Sequence, residues 1–250
     1  MFHVFLILLN IVKIMKKHIP NIITSLNLLS GCIGIGLLFR GDLPDAAWFV
    51  GIAAIFDFFD GMAARLLNVK SKFGKELDSL ADVVSFGVLP GFILFCLLNI
   101  AFDDAEDCMS YIPFIAFLIP VFSALRLAKF NNDTRQTDSF IGLPTPVNAI
   151  FIASIPLILF YQPDQIPVIT SMLGNPGFLI GLVFLLSFLL IAPIPLFSLK
   201  FKDLSWSKNS VQYIFLVLSL ILIIFLSFVA IPIILPLYIL LSIIINPNKK

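Results

Sequence analysis

Apolar residues in this chain arrive in blocks of about twenty, and short polar stretches separate the blocks. An α-helix needs about 20 consecutive apolar residues to cross the hydrocarbon core of a bilayer. Runs such as Ile221 to Phe228 do not alternate between apolar and polar residues, which argues against the strands of a membrane barrel. Only 12% of the 250 residues are charged, against 60% hydrophobic. A soluble domain usually carries about a quarter charged residues, so this chain cannot cover a water-facing surface.

The expected fold class is all-α, a polytopic transmembrane helical bundle of about eight spans. They fall at roughly Asn21–Phe39, Ala46–Leu67, Leu77–Ile100, Tyr111–Phe130, Pro146–Tyr161, Gly177–Leu199, Val211–Val229 and Ile231–Ile245. The last two come from one apolar stretch too long for a single crossing. Pro232 and Pro236 mark the expected break, because proline removes a helix hydrogen bond.

The basic residues sort these spans. Lys13, Lys16 and Lys17 precede the first, and Arg65, Lys70, Lys72 and Lys75 surround the second loop. Arg126, Lys129 and Arg135 lie at the fourth, Lys200, Lys202 and Lys208 at the sixth, and Lys249 and Lys250 at the end. The intervening loops hold Arg40 alone, and Asp103 to Asp107 is acidic. Cytoplasmic loops carry the Lys/Arg excess, so both termini are expected in the cytoplasm and the protein in the inner or plasma membrane.

Phe2 to Ile14 is apolar but too short to span, and it lacks the basic start and small-residue cleavage site of a signal peptide. Two readings stay open for residues 1–14: an interfacial helix, or an artefact upstream of a start at Met15. The expected organisation is an N-terminal extension over 1–18, a membrane domain over 19–199 and a C-terminal membrane hairpin over 200–250. The net charge of +1 gives no electrostatic case for nucleic acid. Cys32, Cys96 and Cys108 are scattered, with no spacing for a metal or redox pair, and His3 and His18 are isolated.

Four aspartates sit where a carboxylate is costly, at about 3 kcal/mol on insertion scales. Asp57 and Asp60 are three apart and share a face of the second span. Asp78 and Asp82 are four apart and share a face of the third. A basic loop joins the two helices, so they are expected to pack antiparallel with the carboxylates in one pocket. Divalent cations such as Mg²⁺ prefer oxygen ligands and would relieve the mutual repulsion. Two such ions can clamp the attacking and leaving oxygens of a phosphoryl displacement. Gly61 and Ala64 continue the same face and leave room beside the metals. Charge pairing with Arg65, Lys72 or Lys75 is the plain structural alternative. An ion-coupled transporter is the functional rival, although its acids would lie near the midplane, often beside broken helices in repeated halves.

The run Asp57-Phe-Phe-Asp60-Gly61-Met-Ala-Ala64-Arg65, then Gly74, Asp78 and Asp82, resembles the signature of the CDP-alcohol phosphatidyltransferases. That signature is D-x-x-D-G-x-x-A-R, eight residues, G, three, D, three, D, and every fixed position and gap is met. Three flanking segments resemble the phosphatidylserine-forming branch of the superfamily: Ile19 to Gly31, Asp78 to Gly87 with Pro90, and Phe140 to Pro146. Ala124 to Asn131 does so too, with Lys129 in place of the usual arginine. The last hundred residues match only in being membrane spans.

The resemblance implies transfer of the phosphatidyl group from CDP-diacylglycerol to L-serine, giving phosphatidylserine and CMP. It implies a metal site of Asp57, Asp60, Asp78 and Asp82, holding Mg²⁺ or Mn²⁺ as two ions, with Asp82 as the base. Gly61, Ala64, Arg65 and Gly74 would shape the CDP pocket. Arg126, Lys129 and Asn131 would hold the serine carboxylate or a lipid phosphate, with anchoring at the membrane surface the alternative for Lys129. The implied assembly is a homodimer among membrane lipids. The core motif handles the shared donor, so glycerol 3-phosphate, an inositol phosphate or choline remain alternative acceptors.

Overall fold

The protein is described here by a computed structural model covering residues 2–69, 71–102, 111–132, 139–164, 167–197 and 206–245. Helix α1 (Phe2–Leu38) runs without a break through the expected boundary at residue 18, although Pro20 lies inside it. Gly41, at φ 83°, turns the chain into α2 (Leu43–Leu66), whose second residue is Pro44. Proline suits that position because the first helical N–H groups have no partner within the helix. The pair α1 and α2 makes the most extensive helix contact in the fold.

Asn68, at φ 52°, ends α2 in the left-handed region. The next helix, α3 (Lys72–Val83), starts where the Ser71 hydroxyl accepts the Gly74 N–H at 2.9 Å. Such a side-chain cap typically contributes about 1 kcal/mol. A π-helical turn (Val84–Val88) follows and passes into α4 (Leu89–Ala101), so 72–101 is one apolar stretch. The Leu89 N–H bonds the Val84 carbonyl five residues back. Pro90, next in line, has no N–H to restore the ordinary i to i−4 register.

A 3₁₀ turn (Ile112–Phe117) leads into α5 (Leu118–Asn132), with Pro113 and Pro120 near their starts. Strand β1 (Ser139–Ile141) precedes α6 (Thr145–Tyr161), the central helix, buried on nearly every face from Asn148 to Ile158. Helices α7 (Pro167–Leu173) and α8 (Pro176–Ile191) meet at a 76° bend. Strand β2 (Pro195–Phe197) pairs antiparallel with β1, Phe140 opposite Leu196. Helix α9 (Trp206–Leu226), a 3₁₀ turn (Ser227–Val229) and α10 (Ala230–Ile245) complete the described chain.

Helix α1 shows why this is a membrane fold. It buries Thr24, Asn27 and Ser30, three residues apart, and exposes Ile22, Leu26, Leu29 and Ile33. That is the reverse of a soluble amphipathic helix. In a bilayer it is favourable, because lipid solvates the apolar face and the polar groups find partners inside. Helix α9 likewise exposes Leu220, Ile221, Ile224 and Phe225.

Among the described residues the all-α expectation holds apart from one ladder of two three-residue strands. The expected eight spans are not all distinct. Five described helical stretches are long and apolar enough to cross a membrane, or six with the bent α7–α8 pair taken as one. Helix α6 is apolar but has only 17 residues, and 209–244 counts as one stretch. The sixth expected span, drawn to Leu199, ends at Ile191 because Pro193 and Pro195 disfavour helix in the residues before them. Helix α7 lies between the fifth and sixth expected spans. The final break falls at Ser227, with φ 48°, rather than at Pro232 or Pro236. Pro232 lies in the first turn of α10, where its missing N–H costs nothing. Residues 103–110, 133–138, 198–205 and 246–250, with Arg135, Cys108, Lys200, Lys202, Lys249 and Lys250 among them, lie outside the described residues, as does Lys70.

Candidate active site

Three of the four aspartates converge as their spacing predicts. One carboxylate oxygen from each of Asp57, Asp60 and Asp78 lies within 4.8 Å of the other two. Asp57 and Asp60 come from the last three turns of α2, and Asp78 comes from the second turn of α3. Asp60 is buried, and Asp57 and Asp78 are half-buried.

Pairing with basic residues does not explain the cluster. The Arg65 guanidinium is exposed and its Nε donates to the Gly61 carbonyl at 3.0 Å. Lys75 Nζ donates to the Asn131 carbonyl at 3.0 Å. Among the described residues none of the four carboxylates forms an ion pair. Three acidic oxygens this close, without a basic partner, form the donor set that a hard divalent cation requires.

Helix α1 supplies the neutral partners. The Thr24 hydroxyl donates to Asp60 Oδ2 at 2.6 Å. Asn27 Nδ2 donates to Asp82 Oδ1 at 3.4 Å, and the Ser85 hydroxyl donates to the Asn27 carbonyl at 2.9 Å. Thr24 and Asn27 are three apart and so share a face, one reaching α2 and the other α3. Gly31, one turn beyond Asn27, makes this approach possible: a Cβ there would lie 2.9 Å from Ser85 Cα. Asp82 is buried and stands outside the three-oxygen group, one turn beyond Asp78.

A cavity of about 530 Å³ opens beside the carboxylates. Asp60 and Asp78 form part of its wall, with Gly61, Ala64 and Gly74. These small residues are the ones expected to shape a nucleotide pocket. A Cβ on Gly61 would meet nothing within 4 Å, so the backbone of α2 faces open space at that point. Pro20, Asn21 and Thr24 of α1 and Lys72 and Lys75 of α3 complete much of the lining. Arg65 does not line it.

The expected acceptor trio separates. Arg126 is 7% exposed, its guanidinium carbon 5.9 Å from the Phe130 ring centroid. Its Nε has no hydrogen-bond partner among the described residues. Lys129 is exposed. The Asn131 side-chain amide donates to Ser79 Oγ at 2.7 Å. None of the three lines the cavity. Sequence reasoning gave no role to Thr24, Asn27, Ser71 or Ser79. The signal for the first two was a polar stripe at three-residue spacing inside an apolar span.

Fold and site together define a polytopic integral membrane protein with an acidic, cation-suited pocket at the junction of its second and third helical spans. A family model, CDP-alcohol phosphatidyltransferase, matches residues 17–225. The chain belongs to that family. It is similar to the CDP-diacylglycerol–serine O-phosphatidyltransferase of Helicobacter pylori (strain J99), at 38% identity over 135 residues, covering 53% of this chain and 54% of that protein. The enzyme of the same name from Bacillus subtilis is 37% identical over 134 residues, covering 52% of this chain and 70% of that protein. The archaetidylserine synthase of Methanothermobacter thermautotrophicus is 36% identical over 147 residues, covering 58% and 60%. The match to the Helicobacter protein thus spans about half of that protein's length.

Proposed function

We propose that this protein transfers the phosphatidyl group of CDP-diacylglycerol to L-serine, releasing CMP. The observation that carries the reading is the cavity: two acids of the converging trio in its wall, and a bare helix backbone at Gly61 against which a nucleotide can lie. Serine as acceptor is supported by relatives named for seryl products on two different lipid backbones.

Asp57, Asp60, Asp78 and Asp82 would hold the divalent cations, Mg²⁺ or Mn²⁺ and two in number, which offset charge on the donor's pyrophosphate. Thr24 fixes the orientation of Asp60 through its 2.6 Å bond. Asn27 holds Asp82 by Oδ1, leaving Oδ2 to take the proton of the serine hydroxyl. The serine oxygen then bonds to the lipid-linked phosphorus, and the bond from that phosphorus to the bridging oxygen breaks. CMP leaves with the electron pair. Gly61, Ala64 and Gly74 would shape the CDP site, and Arg126, whose buried Nε has no hydrogen-bond partner among the described residues, would attract the carboxylate of serine or a lipid phosphate.

Taking α7–α8 as one crossing, α6 as another and dividing 209–244 at Ser227 gives eight crossings, with both termini and the site in the cytoplasm. The protein acts in the inner or plasma membrane, and we read it as a homodimer. The test is CMP release by purified protein with CDP-diacylglycerol over a panel of serine, glycerol 3-phosphate, inositol phosphate and choline. Release fastest with serine supports the reading. Faster release with another alcohol refutes serine as acceptor, and no release with any refutes the transferase reading.

A further inference from the structure

Helix α3 carries Asp78, yet its first turns stand at the edge of the bundle, with Lys72, Phe73, Lys75 and Glu76 all exposed. Its rotation about its own axis decides whether Asp78 meets Asp57 and Asp60. Two residues that bracket Asp78, Lys75 and Ser79, are both held by Asn131 at the end of α5. Asn131 Nδ2 donates to Ser79 Oγ at 2.7 Å, and the Asn131 carbonyl accepts Lys75 Nζ at 3.0 Å. The Ser79 hydroxyl in turn donates to the Lys75 carbonyl at 3.1 Å. Lys75 and Ser79 are four apart and share the face of α3 toward α5. Asp78 lies about 100° round from Ser79, toward α2. Turning α3 to withdraw Asp78 breaks both contacts to Asn131.

We propose that Asn131 is a positioning residue for the cation site: it locks the rotation of α3 so that Asp78 completes the group with Asp57 and Asp60, and it does not itself bind serine. This rests on the reading of those three aspartates as a cation site. The lock joins residues 52 apart in sequence, and Asn131 does not line the cavity beside the carboxylates.

The test uses the full-length protein in detergent. Mn²⁺ binding is read from the resonance signal of free Mn²⁺ without substrates, and CMP release gives the KM for serine at saturating metal. Asn131→Ala and Ser79→Ala are each expected to weaken Mn²⁺ binding roughly three- to tenfold, the range one net hydrogen bond supports. The double variant should be no weaker than the worse single one, because both remove the same contact. Ser79→Thr, which keeps the hydroxyl, should bind Mn²⁺ like the wild type. Serine KM should stay unchanged in Asn131→Ala; should that variant fail to fold, Ser79→Ala breaks the contact from the other side. A raised serine KM with unchanged Mn²⁺ affinity overturns the proposal, as do single effects that add. A wild-type protein that binds no Mn²⁺, with Asp78→Asn behaving identically, overturns the cation reading on which it rests.

Discussion

Replacing Gly61 by alanine separates the cavity's role in donor binding from any role in folding. A Cβ on Gly61 meets no atom within 4 Å, so the protein itself offers no steric objection. In a helix, glycine is about 1 kcal/mol less favourable than alanine. Stability should therefore hold or rise, by about 2–4 °C in melting temperature for each kcal/mol in a chain of this size. Gly31 is the internal contrast, because a Cβ there would sit 2.5 Å from Ser85 Oγ and 2.9 Å from Ser85 Cα. The backbone atom cannot swing aside, and overpacking of this kind typically costs about 1–3 kcal/mol. Gly31→Ala should therefore melt lower than wild type. The Gly61 methyl instead protrudes into the cavity of about 530 Å³, where the proposed function would lay the cytidine diphosphate against α2. One misplaced carbon in a fitted site is worth about 1–3 kcal/mol, or roughly tenfold and upward in kcat/KM for CDP-diacylglycerol. The assay pairs thermal melting in detergent with donor titration at saturating serine. Wild-type kcat/KM in Gly61→Ala would refute the placement of the donor. A melting loss matching that of Gly31→Ala would refute the claim that this face is open.

Asp82→Asn should reduce turnover by about 10²–10⁴, the contribution of a positioned base, and single-turnover CMP release at saturating donor measures it. Thr24→Val removes a buried 2.6 Å hydrogen bond to a carboxylate, so half-saturation by Mg²⁺ should rise by roughly tenfold or more, read from metal titration of CMP release. A reporter active only in the cytoplasm, fused after Lys250 of an active protein, should give signal; silence would mean an odd number of crossings.

The carboxylate pocket was legible because its information is local. Asp57 and Asp60, then Asp78 and Asp82, declare their shared faces through spacings of three and four, and the connection between α2 and α3 is short enough to force the faces together. Gly61 and Ala64 were legible for the same reason. Thr24 and Asn27 were visible as polar residues in a span, but their partners lie 36 and 55 residues away, and no local spacing chooses among distant carboxylates. The contact of Asn131 was hidden for the same reason: its partner Ser79 is 52 residues back. The helix breaks failed differently. Proline marks a missing N–H, but whether that matters depends on where the first turn falls. Pro232 sits where no bond is owed, while the Asn175-Pro176 pair starts α8, with Asn175 capping the Phe178 N–H. That cap is a readable helix start, two residues before Gly177, where the sixth span is expected to begin.

The π-helical turn at Val84–Val88 sets the two halves of its span out of phase. Before it, Asp78 and Asp82 point toward α2 and α1; after it, Gly91 sits where a Cβ would lie 2.8 Å from the ring of Pro120. An ordinary helix advances about 100° per residue, so removing any one residue of the turn would leave composition, hydropathy and the aspartate motif untouched while rotating one half against the other by that angle. Either the carboxylates or the glycine seam would then face the wrong neighbour. The span consequently behaves as a keyed shaft rather than a smooth rod: a protein shortened by one residue here would keep all four aspartates at their spacings and lose the alignment that those spacings exist to provide.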